Sequence, residues 1–93
     1  MAQNPETDTP ALGRLIANAR RRQALTEREV AERVGVSRQT VVNWEHGKTL
    51  PPLTMVRPLA DVLEIGWRRI ARAREHDDQL RTRIRLLELP DNA

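Results

Sequence analysis

Apolar residues fall into short stripes separated by polar turns, and each stripe has the period of a helix. Leu12, Leu15, Ile16 and Ala19 recur at spacings of three and four, which draws one face of a 3.6-residue period. Thr9 can cap this helix, and Pro10 suits its first position, where a missing N–H loses no bond. The stripe ends near Gln23. Thr26 followed by Glu29 is a capping box that opens a second helix, with Val30, Ala31 and Val34 inward and Gly35 at its end. Ser37 caps a third helix running to about His46, with Val41 and Trp44 inward; Gly47 ends it by taking left-handed backbone. Residues 48–52 read as a loop. Val56, Leu59, Ala60 and Leu63 predict a fourth helix. Pro58 is awkward inside it, so either the helix begins near Pro58 or its first turn is kinked. Gly66 separates it from a fifth helix, Trp67 to about Leu89, stopped by Pro90. No window alternates with the period of a strand, so the fold class is all-α.

With 93 residues the chain is one folding unit. Residues 1–8 are polar, without apolar period, and read as a flexible tail; residues 9–66 hold the first four helices, 67–89 the long fifth, and 90–93 a short end. There is no Cys, Tyr or Phe, a single Ser (Ser37), and two His thirty residues apart. That composition removes thiolate metal sites and cysteine nucleophiles and leaves hardly any material for a triad or zinc site. No catalytic residue, metal or cofactor is therefore expected, and the chain does not read as an enzyme. Two aromatic residues, Trp44 and Trp67, are too few for a protein that stacks single-stranded bases. No apolar run approaches the roughly 20 residues of a membrane helix, and no basic start precedes an apolar core at the N-terminus. The expected location is the cytoplasm, with the nucleoid when bound to DNA.

Residues 27–46 carry the most specific signal. Two short helices joined by a tight turn make demands at fixed offsets: small Ala31 where the helices approach, Gly35 at the turn, and Val30, Val34, Val36, Val41 and Trp44 in the wedge between them. This is a helix-turn-helix. The stretch LTEREVAERVGVSRQTVVNWEHGKTLPP also resembles that of the Xre/Cro-like phage repressor family, over residues 12–65 or so, with GVS…WEHGK its most specific part. The resemblance implies a compact five-helix, lambda-repressor-like domain that binds operator DNA, usually as a dimer, with its third helix in the major groove. It also implies a buried ion pair between Arg20 and Glu45. Two departures from the family pattern are Glu27, where a phosphate-contacting Gln is usual, and Pro58.

The residues point the same way. With Val41 and Trp44 inward, the outer face of the third helix presents Arg38, Gln39, Val42 and Asn43. Arg pairs bidentately with guanine and Gln or Asn with adenine in the major groove, and an apolar side chain can meet a thymine methyl. These four are the candidate base readers. Thr26, Ser37, Thr40, Lys48 and Thr49, with the N–H groups that start helices two and three, are candidate phosphate contacts. Glu27 should loosen that contact or hold a cation beside it. His46 reads as a plain loop residue, with a phosphate donor as the alternative, His76 as solvent-facing, and the two Trp as core anchors.

The fifth helix continues about three turns beyond what the family domain needs. Ile70, Ala73, Asp77, Leu80, Ile84 and Leu87 step by three and four as a heptad seam, with Asp77 at a core position. Parallel pairing would set Arg69 against Arg74 and His76 against Arg81, so antiparallel or crossed pairing, or packing on a partner's first helix, fits better. Leu80, Ile84 and Leu87 are the expected contact of a homodimer, and truncation after Arg74 should give a monomer. Alternatives are a helix that folds back on its own domain, and Arg68, Arg69, Arg72 and Arg74 tracking phosphates. The reading is a sequence-specific regulator of transcription, a repressor by family habit, acting on double-stranded DNA. The alternative is an antitoxin-type or adaptor protein whose last helix binds a protein partner. The formal charge of +3 and pI of 10.9 decide little, since the first eight residues carry −2, residues 12–65 carry +3 and the fifth helix +3.

Overall fold

In the computed structural model, the described residues are 11–89; Thr9, Pro10 and Pro90, assigned above to helix ends, lie outside them. Five α-helices follow in order: α1 (Ala11–Arg22), α2 (Glu27–Val34), α3 (Arg38–Glu45), α4 (Val56–Leu63) and α5 (Trp67–Glu88), with a 3₁₀ turn at Leu53–Met55 before α4. No strand occurs among the described residues, and none of their helices is long and apolar enough to cross a membrane. The all-α reading holds.

The stripes seen in the sequence converge on one core. Leu12, Ile16 and Ala19 of α1, Val30 and Ala31 of α2, Val41 and Trp44 of α3, and Leu59 and Leu63 of α4 are all buried in it, with Ile70 of α5 closing one side. Val34 and Val36 are half-buried against this cluster rather than inside it. Pro58 is accommodated because α4 starts at Val56, so the proline sits in the first turn, where its N–H would have had no helical partner. The chain enters that turn through the 3₁₀ segment, whose Met55 N–H reaches Pro52 O at 2.8 Å.

Three helices end in the same way. Ala24 after α1, Gly35 after α2 and Glu64 after α4 all take left-handed backbone, with φ of 56°, 83° and 54°. In each case the next residue, Leu25, Val36 or Ile65, returns its N–H to a carbonyl of the last turn: Arg20 O at 3.1 Å, Ala31 O at 2.9 Å and Ala60 O at 3.2 Å. This closes orphan carbonyls and folds an apolar side chain back onto the core. Only Gly35 was visible as a stop in the sequence. Ala24 and Glu64 accept a conformation that costs an L-residue roughly 1–2 kcal/mol, offset by burying Leu25 and Ile65.

The heptad seam of α5 divides at Asp77. Ile70 is fully buried and Ala73 packs against the core, so the first half of α5 lies on its own domain, mainly against α1 and α4. Asp77, 3% exposed, accepts the Leu12 N–H at 2.9 Å through Oδ2. It is a cap for the N-terminus of α1 supplied from 65 residues away, and its charge complements that end of the helix dipole. Oδ1 is buried and has no hydrogen-bond partner among the described residues, so the capping bond bears against a desolvation cost. Asp77→Ala should lower stability by about 0.5–2 kcal/mol, the range for a lost helix cap, read from urea denaturation; Asp77→Asn, which keeps an acceptor, should recover part of it.

Candidate DNA-binding surface

The placement of α3 begins with a glycine. A Cβ added at Gly13 of α1 would lie 2.3 Å from Glu45 O and 3.0 Å from Trp44 O, so only glycine lets the end of α3 rest on the α1 backbone. Beside this contact, Arg20 Nε donates to Glu45 Oε2 at 2.6 Å and Arg20 Nη2 to Glu45 Oε1 at 3.1 Å, a bidentate pair. Arg20 Nη1 also donates to Leu25 O at 3.0 Å. One guanidinium thus ties α1, the turn before α2 and the end of α3. The hydrogen bonds to Glu45 raise the Arg20 pKa above its ordinary value against the opposing effect of burial, with the Glu45 and Glu27 charges adding to the rise.

The N-termini of α2 and α3 are capped from within. Thr26 Oγ1 accepts the Glu29 N–H at 3.0 Å, and Glu29 Oε1 accepts the Thr26 N–H at 2.9 Å. Those bonds hold the exposed Glu29 carboxyl below its usual range. Ser37 Oγ accepts the Thr40 N–H at 3.1 Å and lies 2.8 Å from the Thr40 hydroxyl. Both hydroxyl oxygens are therefore engaged as caps, and the two side chains offer a phosphate only an O–H.

Arg38 and Gln39 are exposed on the outer face of α3, with Val42, Asn43 and Thr40 half-exposed beside them. Gln39 Nε2 donates to Asn43 Oδ1 at 3.0 Å, and Gln39 Oε1 as an acceptor and Asn43 Nδ2 as a donor take no part in that bond. Glu27, the departure at the start of α2, faces Arg38: Nη2 of Arg38 is 3.3 Å from Glu27 Oε1. The cation beside Glu27 is thus one of the base-reading candidates. Lys48 and Thr49 are exposed in the segment after α3, and His46 is exposed at the C-cap of that helix.

Other assignments divide. Trp44 is buried, whereas Trp67 is half-buried, with the guanidinium carbons of Arg57 and Arg68 each 4.6 Å from its ring centre, so it is a surface stack as much as a core anchor. His76 is exposed on the rim of a shallow groove between α1 and α5. Arg74 does not face solvent: its Nε donates to Pro51 O at 2.6 Å. Arg81 donates to Gly47 O and, through Nη1 at 3.5 Å, to Lys48 O. Sequence reasoning missed Gly13, Arg74, Arg81 and the capping role of Asp77. An acid at a seam position that must be buried was the one available signal, because a buried carboxylate requires a donor.

A model of the helix-turn-helix family matches residues 16–70, which spans α2, the turn and α3. The chain belongs to the helix-turn-helix family. It is also similar to a protein of Methanothermobacter thermautotrophicus whose name is uncharacterized HTH-type transcriptional regulator, with 43% identity over 49 residues, 53% of this chain and 71% of that protein. The family match stops at Ile70, so Arg74, Asp77, Arg81 and the exposed end of α5 lie beyond it in this helix-turn-helix protein.

Removing Glu45 leaves Arg20 part-buried with only the Leu25 carbonyl. Glu45→Ala should cost about 2–3 kcal/mol, less than the roughly 3–5 of a fully buried pair because Arg20 keeps some contact with water. Replacing both partners by apolar residues should recover most of that loss, as measured by chemical denaturation.

Proposed function

We propose that this protein is a sequence-specific, double-stranded DNA-binding regulator of transcription that reads the major groove with α3 as a homodimer, and that it acts as a repressor. The observation that carries the reading is the outer face of α3. Its buried side is fully occupied by Val41 and Trp44, its C-terminal end is fixed on α1 by Gly13 and the Arg20–Glu45 pair, and its free side holds three side chains suited to base edges. Gln39 and Asn43, bonded to each other on this face, are amides of the type that pairs with adenine N6–H and N7. Arg38 reaches guanine by exchanging Glu27 for O6 and N7. The Arg38 side chain is 53% accessible and that of Glu27 20%, and at 3.3 Å on the surface the pair contributes little. Val42 lies between them for a thymine methyl. The N–H groups at the starts of α2 and α3, with Thr26, Ser37, Thr40, Lys48 and Thr49, supply phosphate contacts around this centre.

Dimerisation is read from the end of α5. Leu80, Ile84 and Leu87 are 40%, 56% and 80% exposed, and Leu86 and Leu89 are exposed as well. Burying these five in a two-fold pair would remove on the order of 1,000 Å² of surface, the lower bound of a specific interface. Leu86 and Leu89 lie off the 80–84–87 stripe, so a simple two-helix zipper leaves them uncovered. That favours crossed pairing in which the end of α5 also meets the partner's body. The same all-round apolar end supports the alternative of a protein partner in an antitoxin-type or adaptor role.

Selection of binding sites from random DNA tests the reading directly. Arg38→Ala and Gln39→Ala should each relax the selected motif at one base pair, at a cost of about 1–3 kcal/mol; an unchanged motif would refute the assignment. For the dimer, truncation after Arg74 would also remove Asp77 and Arg81, so the informative cut is after Thr82. That shortened chain should keep its fold and sediment as a monomer, and a dimer surviving the cut would remove α5 from the interface.

A further inference from the structure

The seven arginines of α5 are not equivalent. Five are exposed, whereas Arg74 and Arg81 are half-buried. Both turn onto the segment that leaves α3, Arg74 donating to Pro51 O and Arg81 to Gly47 O and Lys48 O. They stand seven residues apart, about 10 Å along a helix that rises 1.5 Å per residue, so the segment is fastened to a stiff rod at two separated points. Between them Asp77 fastens the same rod to the start of α1. The other end of the linkage is equally short. The Gly47 N–H reaches Trp44 O at 3.2 Å and the Lys48 N–H reaches Asn43 O at 2.9 Å, so the two residues whose carbonyls Arg81 holds are themselves bonded back to the last turn of α3.

Arg81 also lies between Leu80 and Ile84, two of the exposed apolar residues assigned above to the contact with a second copy. The path from one recognition helix to the other therefore runs from α3 through these carbonyls and arginines into α5, and across the dimer contact to the partner. All of it beyond Ile70 lies outside the family match.

We propose that Arg74 and Arg81 are positioning residues that fix the separation of the two α3 helices in the dimer, and so determine which half-site spacing the protein accepts. This rests on the dimeric DNA-binding reading. Two recognition helices meet half-sites about 34 Å apart. One inserted base pair moves the second half-site by about 3.4 Å and turns it by roughly a tenth of a revolution, so the stiffness of the link decides the penalty. With the arginines in place, α3 cannot pivot on α5 and the penalty is large. Without them, the module stays fixed to the first half of α5 through Ile70 and Asp77, but the end of α5 that carries the dimer contact bends relative to it and absorbs the shift.

The test uses the full chain and operators carrying two copies of the selected half-site, with the spacer varied one base pair at a time. Wild type should lose tenfold or more in affinity when the spacer changes by one. Arg81→Ala should keep the half-site motif and the sedimentation of the dimer but lose less than threefold. Arg74→Ala, which removes the second fastening alone, should fall between and stands in if the first variant does not fold. Arg81→Lys, retaining a donor to one carbonyl, should restore part of the discrimination. A wild-type spacing profile in both alanine variants would overturn the proposal, because a merely stabilising role predicts weaker binding at every spacing and no change of profile. Failure of the underlying reading shows separately: wild type would select no site, or would bind two half-sites no better than one.

Discussion

The bidentate contact between Arg20 and Glu45 is the constraint on which the arrangement of this protein depends. Its energy is not the reason. An ion pair taken out of water roughly breaks even against apolar groups of the same shape, and this one, with side-chain exposures of 14% and 5%, is largely out of water. What it supplies is geometry. The planar guanidinium meets Glu45 along two parallel bonds and gives its remaining nitrogen to Leu25 O, so the orientation of α3 relative to α1 and to the entry of α2 is set by one rigid group. Gly13 makes that orientation attainable by letting the final carbonyls of α3 sit on α1. An eight-residue helix is too short to hold its place by propensity. It presents a defined outer face because both its buried side and its end are fixed.

The sequence showed the helices because their signals are local. Stripes at three-and-four spacing, the Thr26–Glu29 box, Ser37 and Gly35 each act within a few residues, and each element they announced is present. The missed contacts of α5 all involve long separations. Asp77 meets Leu12 across 65 positions, Arg74 meets Pro51 across 23, and Arg81 meets Gly47 across 34. A heptad pattern alone cannot say whether a seam faces its own domain or another chain. Here it does the first up to Asp77 and leaves Leu80, Ile84 and Leu87 exposed after it. The stops at Ala24 and Glu64 were hidden for a different reason: both are left-handed positions filled by residues that do not advertise them, held there by the apolar residue that follows.

The candidate site was legible in its membership and not in its internal bonding. Arg38, Gln39, Val42 and Asn43 do share one accessible face, as helical period required. That Gln39 donates to Asn43 follows from their separation of four once both are on a helix. The bond from Arg38 to Glu27 could not be read that way, since it joins two helices whose angle the turn decides. It changes the meaning of Glu27 from a departure at a phosphate-contact position to the partner of a candidate base reader.

Charge is the last point at which placement outranks composition. The formal excess of +3 invites an argument from long-range attraction to phosphate, yet several of the cations it counts are committed inside the protein. Arg20 is spent on Glu45, Arg74 and Arg81 on backbone carbonyls, and Arg38 on Glu27. Arg20 stands at the C-terminal end of α3, and Arg81 and Arg74 hold the segment that follows it at Gly47 and Pro51. None of the three is presented to solvent as an exposed cation. The fourth stands at the opposite end, on the outer face, itself exposed and bonded to a half-buried carboxylate. Cations at one end of α3 therefore hold the helix still, and the cation at the other end is left free to exchange its partner. The number of arginines in the chain reports neither fact.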